Sequence, residues 1–316
     1  MSKTRSLNET RSLFTIKDHF HKFVERLKKT LRLSASNDDH GVAKPLYLDD
    51  LPEECISVII SLTSPQDACI FASVSKTFES AAKSNIVWEK FIPPEYASLV
   101  PRPQDYSSKK DLYFALCDES VLIDDDKKSF WVEQANGKRC IMLSAMNLSI
   151  MWGNILHSWK QIPNPQARFE KVGELLEERW FEIRGKINTR VLSPKTRYSV
   201  YIVFMKADIC YGFADVAIEA VVGVVGQYLQ ESSRRYLCFD EAMKGFFLRR
   251  EMEKKNLVKP KSRKDGWMEL ELGEFFNEGG LMSSDEIEMS VLKTKRLHWK
   301  RGLIVQGIEI RPVKIR

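Results

Sequence analysis

The chain has 316 residues, of which 43% are apolar and 10% aromatic, and it carries a formal net charge of +6. This composition is typical of folded globular proteins and excludes a wholly disordered chain, and the length allows about two domains. No apolar run reaches the roughly 20 residues that span a bilayer, and the N-terminus lacks the apolar core of a secretory signal, so we expect neither insertion nor secretion.

The six cysteines are widely spread, with no Cys-x-x-Cys spacing and no matching pair of histidines. A zinc site and a disulfide framework are therefore unsupported, and we expect reduced thiols, no metal and no cofactor. Reduced thiols favour the cytoplasm as the compartment, with the nucleus as a second candidate.

The positive charge is concentrated in two segments. Residues 1–33 contain nine basic and three acidic residues (9 − 3 = +6), and residues 249–264 contain eight and two (8 − 2 = +6), so the rest of the chain sums to −6. Two local basic segments on a mildly acidic body do not form one broad basic face. We therefore expect no nucleic-acid partner and interpret the second segment as a solvated loop.

Residues 13–33 place apolar side chains at helical spacing between Lys and Arg, which predicts an amphipathic helix. Such a helix could bind a membrane surface or a partner, or it could pack on the body of the protein. We favour packing on the body and expect no membrane partner. Together with the linker-like Ser34–Ala43, the helix defines an N-terminal extension over 1–45.

Residues 46–92 have the pattern of several short amphipathic helices. The run Leu51-Pro52-Glu53-Glu54-Cys55-Ile56 opens the segment, and a break at Thr63–Asp67 places Pro65 at a first helical position. Three short helices bury little apolar surface alone, so the unit needs a partner or a neighbouring domain to hold its shape.

The order of these motifs resembles the F-box, although an ordinary helical hairpin is the alternative. The resemblance is carried by Leu51-Pro52-Glu53-Glu54, Ser64-Pro65-Gln66-Asp67, Val74–Phe78 and Val87-Trp88. It implies docking to a Skp-type adaptor, and through it to cullin, while Trp88 holds the box together. The candidate docking residues are Leu51, Pro52, Ile56, Ile59 and Val74, and the alternative for several of them is that they hold the box together instead. Cys55 and Ser75 depart mildly from the usual motif.

After a proline-rich connection over 93–109 and a short predicted helix over Lys110–Asp118, the apolar period changes from 3.6 to 2. Tyr198–Phe204 is a strong strand, rich in β-branched and aromatic residues. Many short strands without βαβ alternation predict an antiparallel sandwich over 110–316. One helix is predicted at Pro165–Glu178, and the other strands at Cys140–Ala145, Phe181–Asn188, Ala214–Val225, Arg235–Phe239, Gly266–Leu272, Ile287–Leu292 and Gly302–Arg311.

The second region resembles the phloem-lectin, or Nictaba-like, family over roughly 110–313. The matching blocks are Lys128–Trp131, Cys140–Ala145, Leu148–Gly153, Glu182–Ile187, Tyr198–Phe204, Asp265–Phe276 and Gly302–Pro312. The resemblance implies a jelly-roll-like β-sandwich that binds N-acetylglucosamine oligomers and N-glycan cores. The fold class expected for the whole chain is therefore α+β multidomain, a small all-α F-box followed by an antiparallel jelly-roll-like β-sandwich.

A sugar site combines an aromatic plane for the C–H face with carboxylates for the hydroxyls. By resemblance, Trp152, Trp159 and Glu286 occupy family positions that contact the sugar. The alternatives are that the tryptophans are core residues and that Glu286 is a solvated strand end. Lys293 stands where glycan-binding members have a second carboxylate, and a cation there cannot accept a hydroxyl proton.

No nucleophile motif, phosphate cradle or metal-ligand spacing occurs, so we expect no intrinsic catalysis. We interpret Glu269, Glu271 and Glu274 as the exposed face of a strand and its turn. The sequence predicts a substrate-recruiting subunit of a cullin–RING (SCF) ubiquitin ligase, whose sandwich binds an unknown target through a glycan, a glycoprotein or a protein surface. The alternative is a lectin of the N-acetylglucosamine type with a degenerate F-box and no ligase role.

Overall fold

The computed structural model describes residues 51–93, 106–150, 158–213, 216–226, 234–240, 257–279, 286–293 and 298–314. Within these ranges the chain forms two compact units, one of residues 51–93 with 106–113 and the other of the described residues from 114 onward. The basic helix predicted over 13–33 lies outside the described residues, and the limits 1–45, 46–92, 93–109 and 110–316 stay predictions.

The first unit is helical. Pro65 begins a helix as predicted, because the preceding Ser64 side chain accepts a hydrogen bond from the Asp67 N–H and caps the helix. Ser75 caps the next helix by accepting from the Phe78 N–H. No helix in the described ranges is long and apolar enough to cross a membrane. The helices are α1 Glu53–Ser61, α2 Pro65–Phe71, α3 Lys76–Lys83, α4 Asn85–Phe91 and α5 Lys109–Asp118.

Trp88 is the centre of the helical unit. Its side chain is fully buried, and its indole N–H donates a hydrogen bond of 2.6 Å to the Ala82 carbonyl. The ring lies 5.2 Å from Tyr113 and 5.8 Å from Phe91, between centroids. One side chain thus joins α3, α4 and the start of α5, which is the role predicted for it.

The second unit is built from strands. A strand is observed at each predicted position, but the strands predicted at Tyr198–Phe204 and Gly266–Leu272 end seven and five residues later than expected. The strongest prediction, Tyr198–Phe204, is the centre of a 16-residue strand. The strands are β1 Val121–Ile123, β2 Lys128–Val132, β3 Arg139–Ser144, β4 Ser149–Ile150, β5 Trp159–Pro163, β6 Lys171–Leu175, β7 Phe181–Asn188, β8 Thr196–Tyr211, β9 Ile218–Val224, β10 Arg234–Leu237, β11 Lys261–Ser262, β12 Met268–Asn277, β13 Glu286–Lys293 and β14 Arg301–Pro312.

The strands form two antiparallel sheets, as the sequence predicts. Within the described residues the larger sheet has nine strands, seven of them in the order β1-β2-β3-β14-β8-β12-β11, while β6 pairs with β14 and β5 pairs with β6. The smaller sheet has five strands in the order β10-β9-β13-β7-β4. The α+β class, with helices first and an antiparallel sandwich after them, is confirmed.

Aromatic residues fill the space between the two sheets. Phe204 on β8 packs on Phe239 with ring centroids 4.8 Å apart, and Phe239 contacts Phe181 and Phe213 at 5.9 and 5.6 Å. Since successive side chains of a strand point to opposite faces, Val203 points outward from the larger sheet. It belongs to a second apolar cluster, which comprises Met142, Phe169, Val172, Val203, Trp267 and Ile304.

The helix predicted over Pro165–Glu178 is wrong. The segment forms a turn followed by β6, whose Gly173 pairs with Val305 on one side and with Gln161 on the other. Phe169 and Val172 of this segment belong to the second apolar cluster. Burial against a sheet outweighs local propensity here.

Replacing Trp88 by Ala should destabilise the helical unit by about 3–5 kcal/mol, because it removes a fully buried ring and leaves the Ala82 carbonyl without its partner. Hydrogen exchange of the amides of α1–α4 in the full chain measures this. The matched control is Trp299→Ala in the sandwich, whose ring is half exposed. Equal protection of α1–α4 in both variants would contradict the central role of Trp88.

Candidate functional site

The helical unit presents an apolar surface along α1. Val58 on α1 and Leu62, which ends the helix with helical backbone angles, are four positions apart and therefore share a face, and both are exposed, Leu62 to 75%. The half-buried Ile59 lies beside them. Single exposed apolar residues are ordinary, but neighbouring ones on a short helix form a surface that a partner can cover.

The predicted docking residues divide between surface and interior. Pro52 and Val74 are exposed, Leu51 and Ile59 are half-buried, and Ile56 is buried in the core of the unit. Ile56 is therefore placed to support α1 from inside. The exposed Val58, Leu62 and Ile86 were missed from the sequence, because a helical period alone does not show which apolar residues remain uncovered.

The structure does not bring Trp159 and Glu286 together. Trp159 begins β5 and is only 7% exposed, and its ring packs on that of Phe181 with the ring centroids 6.3 Å apart. Phe181 pairs with Lys293, whereas Glu286 lies at the other end of β13 and pairs with Asn188. Seven residues of strand separate the two ends, about 23 Å. Trp152 lies outside the described residues, so the joint role of the three stays a prediction.

Two lysines, Lys293 and Lys300, lie at the end of β13 near Trp159, together with the carboxylate of Glu178. Lys300 is buried, and its ammonium donates hydrogen bonds to the carbonyls of Arg179 and His298 at 2.8 and 2.9 Å. Burial and the nearby charge of Lys293 lower the pKa of Lys300 to about 8, against the attraction of Glu178. The charges at this end of β13 differ from the pair of carboxylates that the family resemblance implies.

A network of buried charge lies on the outer face of the larger sheet. Glu309 on β14 is 2% exposed, and its Oε1 accepts a hydrogen bond of 2.7 Å from Arg311. Arg311 also binds both oxygens of Glu269 on β12, at 2.6 and 2.9 Å. Arg263 closes the ring, with contacts of 3.0 Å to Glu269 and 3.2 Å to Glu309.

A third guanidinium approaches the same carboxylate. Arg168 lies 3.6 Å from the Oε2 atom of Glu309 and stacks on Trp131, with its central carbon 4.2 Å from the ring centroid. Burial by itself raises the pKa of Glu309, but Arg263, Arg168 and Arg311 outweigh it and hold that pKa below its ordinary value. Glu309 is therefore ionised at neutral pH, in spite of its burial.

This network corrects two interpretations of the sequence. Glu269 and Glu271 are half-buried, whereas Glu274 is exposed as predicted, and all three are paired with Arg, the latter two with Arg235. Arg263, which belongs to the basic segment interpreted as a solvated loop, is largely buried. The overlooked signal is Glu309 itself, a single carboxylate in the apolar run Gly302–Ile310, since a buried charge needs partners.

Comparison with known families covers both units. The F-box domain matches residues 48–90, and the phloem protein 2 domain matches residues 138–312, which is more than half of the chain. The chain belongs to the F-box proteins with a phloem protein 2 domain. The helical unit is thus the F-box region, and the network around Glu309 lies within the phloem protein 2 domain.

Several plant relatives share this arrangement. The F-box protein PP2-B7 of Arabidopsis thaliana is 63% identical over 316 residues, which cover 99% of this chain and 98% of that protein. The F-box proteins PP2-B10 and SKIP3 of the same plant are 63% and 57% identical over 84% and 85% of this chain, and the matches cover 94% and 89% of those proteins.

Among solved structures, a family 35 carbohydrate-binding module from Clostridium thermocellum matches 54% of this chain and 96% of its own length. The sequence identity is 9% and the TM-score is 0.29, so this likeness supports no argument about the site.

Replacing Glu309 by Gln should cost about 3–5 kcal/mol of unfolding free energy at pH 7, because it leaves buried guanidinium groups uncompensated. The folded pKa of Glu309 lies below its unfolded value of about 4.3, so the contribution of the charge is complete above that pH. It is lost as the pH falls through the lower, folded pKa. The stability difference between wild type and variant should therefore shrink on acidification.

Urea denaturation of both proteins between pH 3 and pH 7 measures this difference. The control is Glu278→Gln, which removes an exposed ion pair with Lys195 and should change the stability by less than about 1 kcal/mol. A difference between wild type and Glu309→Gln that stays constant with pH would contradict the account of the network.

Proposed function

We propose that this protein is the target-recruiting F-box subunit of a cullin–RING (SCF) ubiquitin ligase. The F-box region holds a Skp-type adaptor, and through it cullin, while the phloem protein 2 domain holds the target. The chain itself is not catalytic. Its contribution is to hold an acceptor lysine of the target near the subunits that transfer ubiquitin, which raises the effective concentration of the reacting groups.

The observation that carries this proposal is the uncovered apolar face of α1 in a region that matches the F-box domain. Leu62 and Val58 are exposed on a short helix whose own interior is already filled by Ile56, Ile60 and Trp88. Because the interior of the unit is already filled, additional apolar surface stabilises the protein only when a partner covers it. The relatives named as F-box proteins match this chain over both units, which supports the same role.

For the target, the geometry favours a protein surface over a glycan. A sugar ring needs an uncovered aromatic face, whereas the Trp159 ring is almost fully buried. Glu286 lies at the far end of β13, and its side chain is 3.6 Å from Lys186. The neighbouring Lys300 is buried, and the neighbouring carboxylate of Glu178 already accepts a hydrogen bond of 2.8 Å from Ser158. These observations support a domain that recognises the target through polypeptide contacts.

Replacing Leu62 by Asp should weaken binding of the Skp-type adaptor at least about tenfold, because a carboxylate cannot be buried in an apolar interface without a partner. The fold should be unaffected, since the side chain is 75% exposed. The matched control is Ile209→Asp, in which an apolar residue with 63% exposure on the sandwich is changed in the same way. Isothermal titration of the full chain with the adaptor measures both affinities.

If both variants bound the adaptor equally well, the apolar face with Val58 and Leu62 would not be part of the interface. Failure of the wild-type chain to bind the adaptor at all would instead favour the alternative, a lectin whose F-box is degenerate.

A glycan array probed with the full chain should give no signal for N-acetylglucosamine oligomers, because the ring of Trp159 is covered and a cation replaces the second carboxylate. Binding that is lost in Trp152→Ala and retained in Trp299→Ala would contradict this expectation. That outcome would establish a subunit that recognises glycoproteins and would show that Lys293 is tolerated.

A further inference from the structure

Two segments of the second unit, 177–179 and 299–301, lie antiparallel beside each other. Glu178 and Lys300 form the bridge between them, and each backbone N–H donates to the carbonyl of the other residue, at 3.0 and 2.8 Å. The side chains that flank a bridged residue point to the opposite face from it. Because Lys300 is buried, the flanking positions face outward, and all four are exposed: Glu177, Arg179, Trp299 and Arg301.

A third segment joins these two through Tyr211 at the end of β8. Tyr211 is the register partner of Arg301, is 42% exposed, and donates a hydrogen bond of 2.6 Å from its hydroxyl to Oε1 of Glu177. The next residue, Gly212, lies so close to the Trp299 carbonyl that a Cβ atom there would overlap the oxygen. Tyr211 and the four exposed residues therefore form one continuous surface, which we call the aromatic patch.

The aromatic patch has the composition of a protein-binding surface. Of the six tryptophans in the described ranges, Trp299 alone is exposed, to 48%. The guanidinium of Arg179 stacks on its ring, with the central carbon 4.4 Å from the ring centroid. Trp, Tyr and Arg are the residue types that contribute most to binding energy at protein interfaces. The remaining surface of the Trp299 ring is apolar area that a partner can cover.

Both arginines of the aromatic patch have donors available. Within the described ranges neither Arg179 nor Arg301 forms an ion pair with a carboxylate, in contrast to the guanidinium groups of the buried charge network. Two arginines and Glu177 give the patch a charge of 2 − 1 = +1, while the bridged Lys300 and Glu178 cancel. A guanidinium binds a carboxylate through two parallel N–H donors, so one carboxylate would balance the patch.

The available donors distinguish a carboxylate from other polar ligands. A sugar needs acceptors as well as donors for its hydroxyl groups, and the single carboxylate of the patch, Glu177, already accepts from Tyr211. A phosphate carries up to two negative charges, which exceed the surplus of one. An Asp or Glu side chain of a partner matches both the donors and the charge. The ring of Trp299 adds a surface for an apolar side chain beside that carboxylate.

We propose that the aromatic patch binds an acidic segment of the target protein in which an Asp or Glu stands next to an apolar side chain. Arg179 and Arg301 hold the carboxylate, and the ring of Trp299 covers the apolar neighbour. The inference rests on the proposed function, because it supplies the surface by which the phloem protein 2 domain holds the target.

The test uses the full chain and two isosteric peptides with blocked ends, acetyl-Leu-Glu-Leu-amide and acetyl-Leu-Gln-Leu-amide, followed by saturation-transfer NMR at millimolar concentration. The Glu peptide should bind at least about tenfold more tightly than the Gln peptide, because only the former carries the charge that the guanidinium groups attract. Acetyl-Gly-Glu-Gly-amide, which lacks the apolar side chains, should bind at least about threefold more weakly than the Glu peptide. Equal binding of the Glu peptide and either of the others, or no binding of any, would overturn the proposal.

Variants locate the binding. Arg179→Gln and Trp299→Ala should each weaken the Glu peptide at least about tenfold, and both side chains are exposed, so the fold should be retained. The matched control is Arg190→Gln, which changes an exposed arginine that follows the last residue of β7, whereas Arg179 precedes the first. Equal losses in Arg190→Gln and Arg179→Gln would reduce the effect to net charge and overturn the assignment.

A charge reversal gives a result that unfolding cannot imitate. Arg179→Glu changes the charge of the aromatic patch to 1 − 2 = −1. This variant should lose the Glu peptide and bind acetyl-Leu-Lys-Leu-amide at least about tenfold more tightly than the wild type does. A folded variant that shows no gain for the Lys peptide would overturn the proposal.

Two further arms separate the outcomes. Tighter binding of acetyl-Leu-phosphoserine-Leu-amide than of the Glu peptide would make the patch a phosphate site, and binding of chitotriose that is lost in Trp299→Ala would make it a glycan site. Either result would overturn the proposal. Adaptor affinity should be unchanged in Trp299→Ala, and the Leu62→Asp variant should retain peptide binding. A failed patch and a failed ligase role therefore give different results.

Discussion

The pairing of β14 with β8 is the constraint on which the sandwich depends. These two long strands form the middle of the larger sheet. Glu309 and Arg311 of the charged network lie on β14, and Glu269 lies on β12 opposite Val203 of β8. The register shifts near Gly302 and Gly307, and at Gly307 a Cβ atom would lie 1.9 Å from the Leu143 carbonyl oxygen. The absence of a side chain at this position allows β14 to lie between β3 and β8.

Much of the architecture could be predicted, because several elements are determined by local sequence patterns. Tyr198–Phe204 has β-branched and aromatic residues that fit a strand buried on both faces, and Ser64-Pro65 is a helix start whose mechanism is local. The helix prediction for the segment around Gly173 fails because what decides its structure is not local. Its apolar residues are spaced for a helix, and only the neighbouring strands, distant in sequence, make it extended. A local sequence pattern does not show that a segment pairs with strands that are distant in the sequence.

The functional surfaces were less predictable, because they depend on what remains uncovered or unpaired. Ile56 and Val58 are similar apolar residues two positions apart, yet one is interior and the other is exposed. Glu309 illustrates the same limit in a charged residue. Its position in an apolar run indicates burial and a need for partners, but Arg168 and Arg263 are more than forty residues away and are identified only by the folded chain.

The closed arrangement of Glu309 and its guanidinium partners also bears on how this domain can change during evolution. Loss of a single member leaves an uncompensated buried charge, whereas simultaneous replacement of a carboxylate and a guanidinium by apolar residues of similar size can be close to neutral. Substitutions at these positions are therefore expected to be epistatic. A lineage that replaces the charged residues by apolar ones one at a time must pass through a destabilised protein. The domain can therefore diversify more freely on its exposed loops than on this face of the sheet.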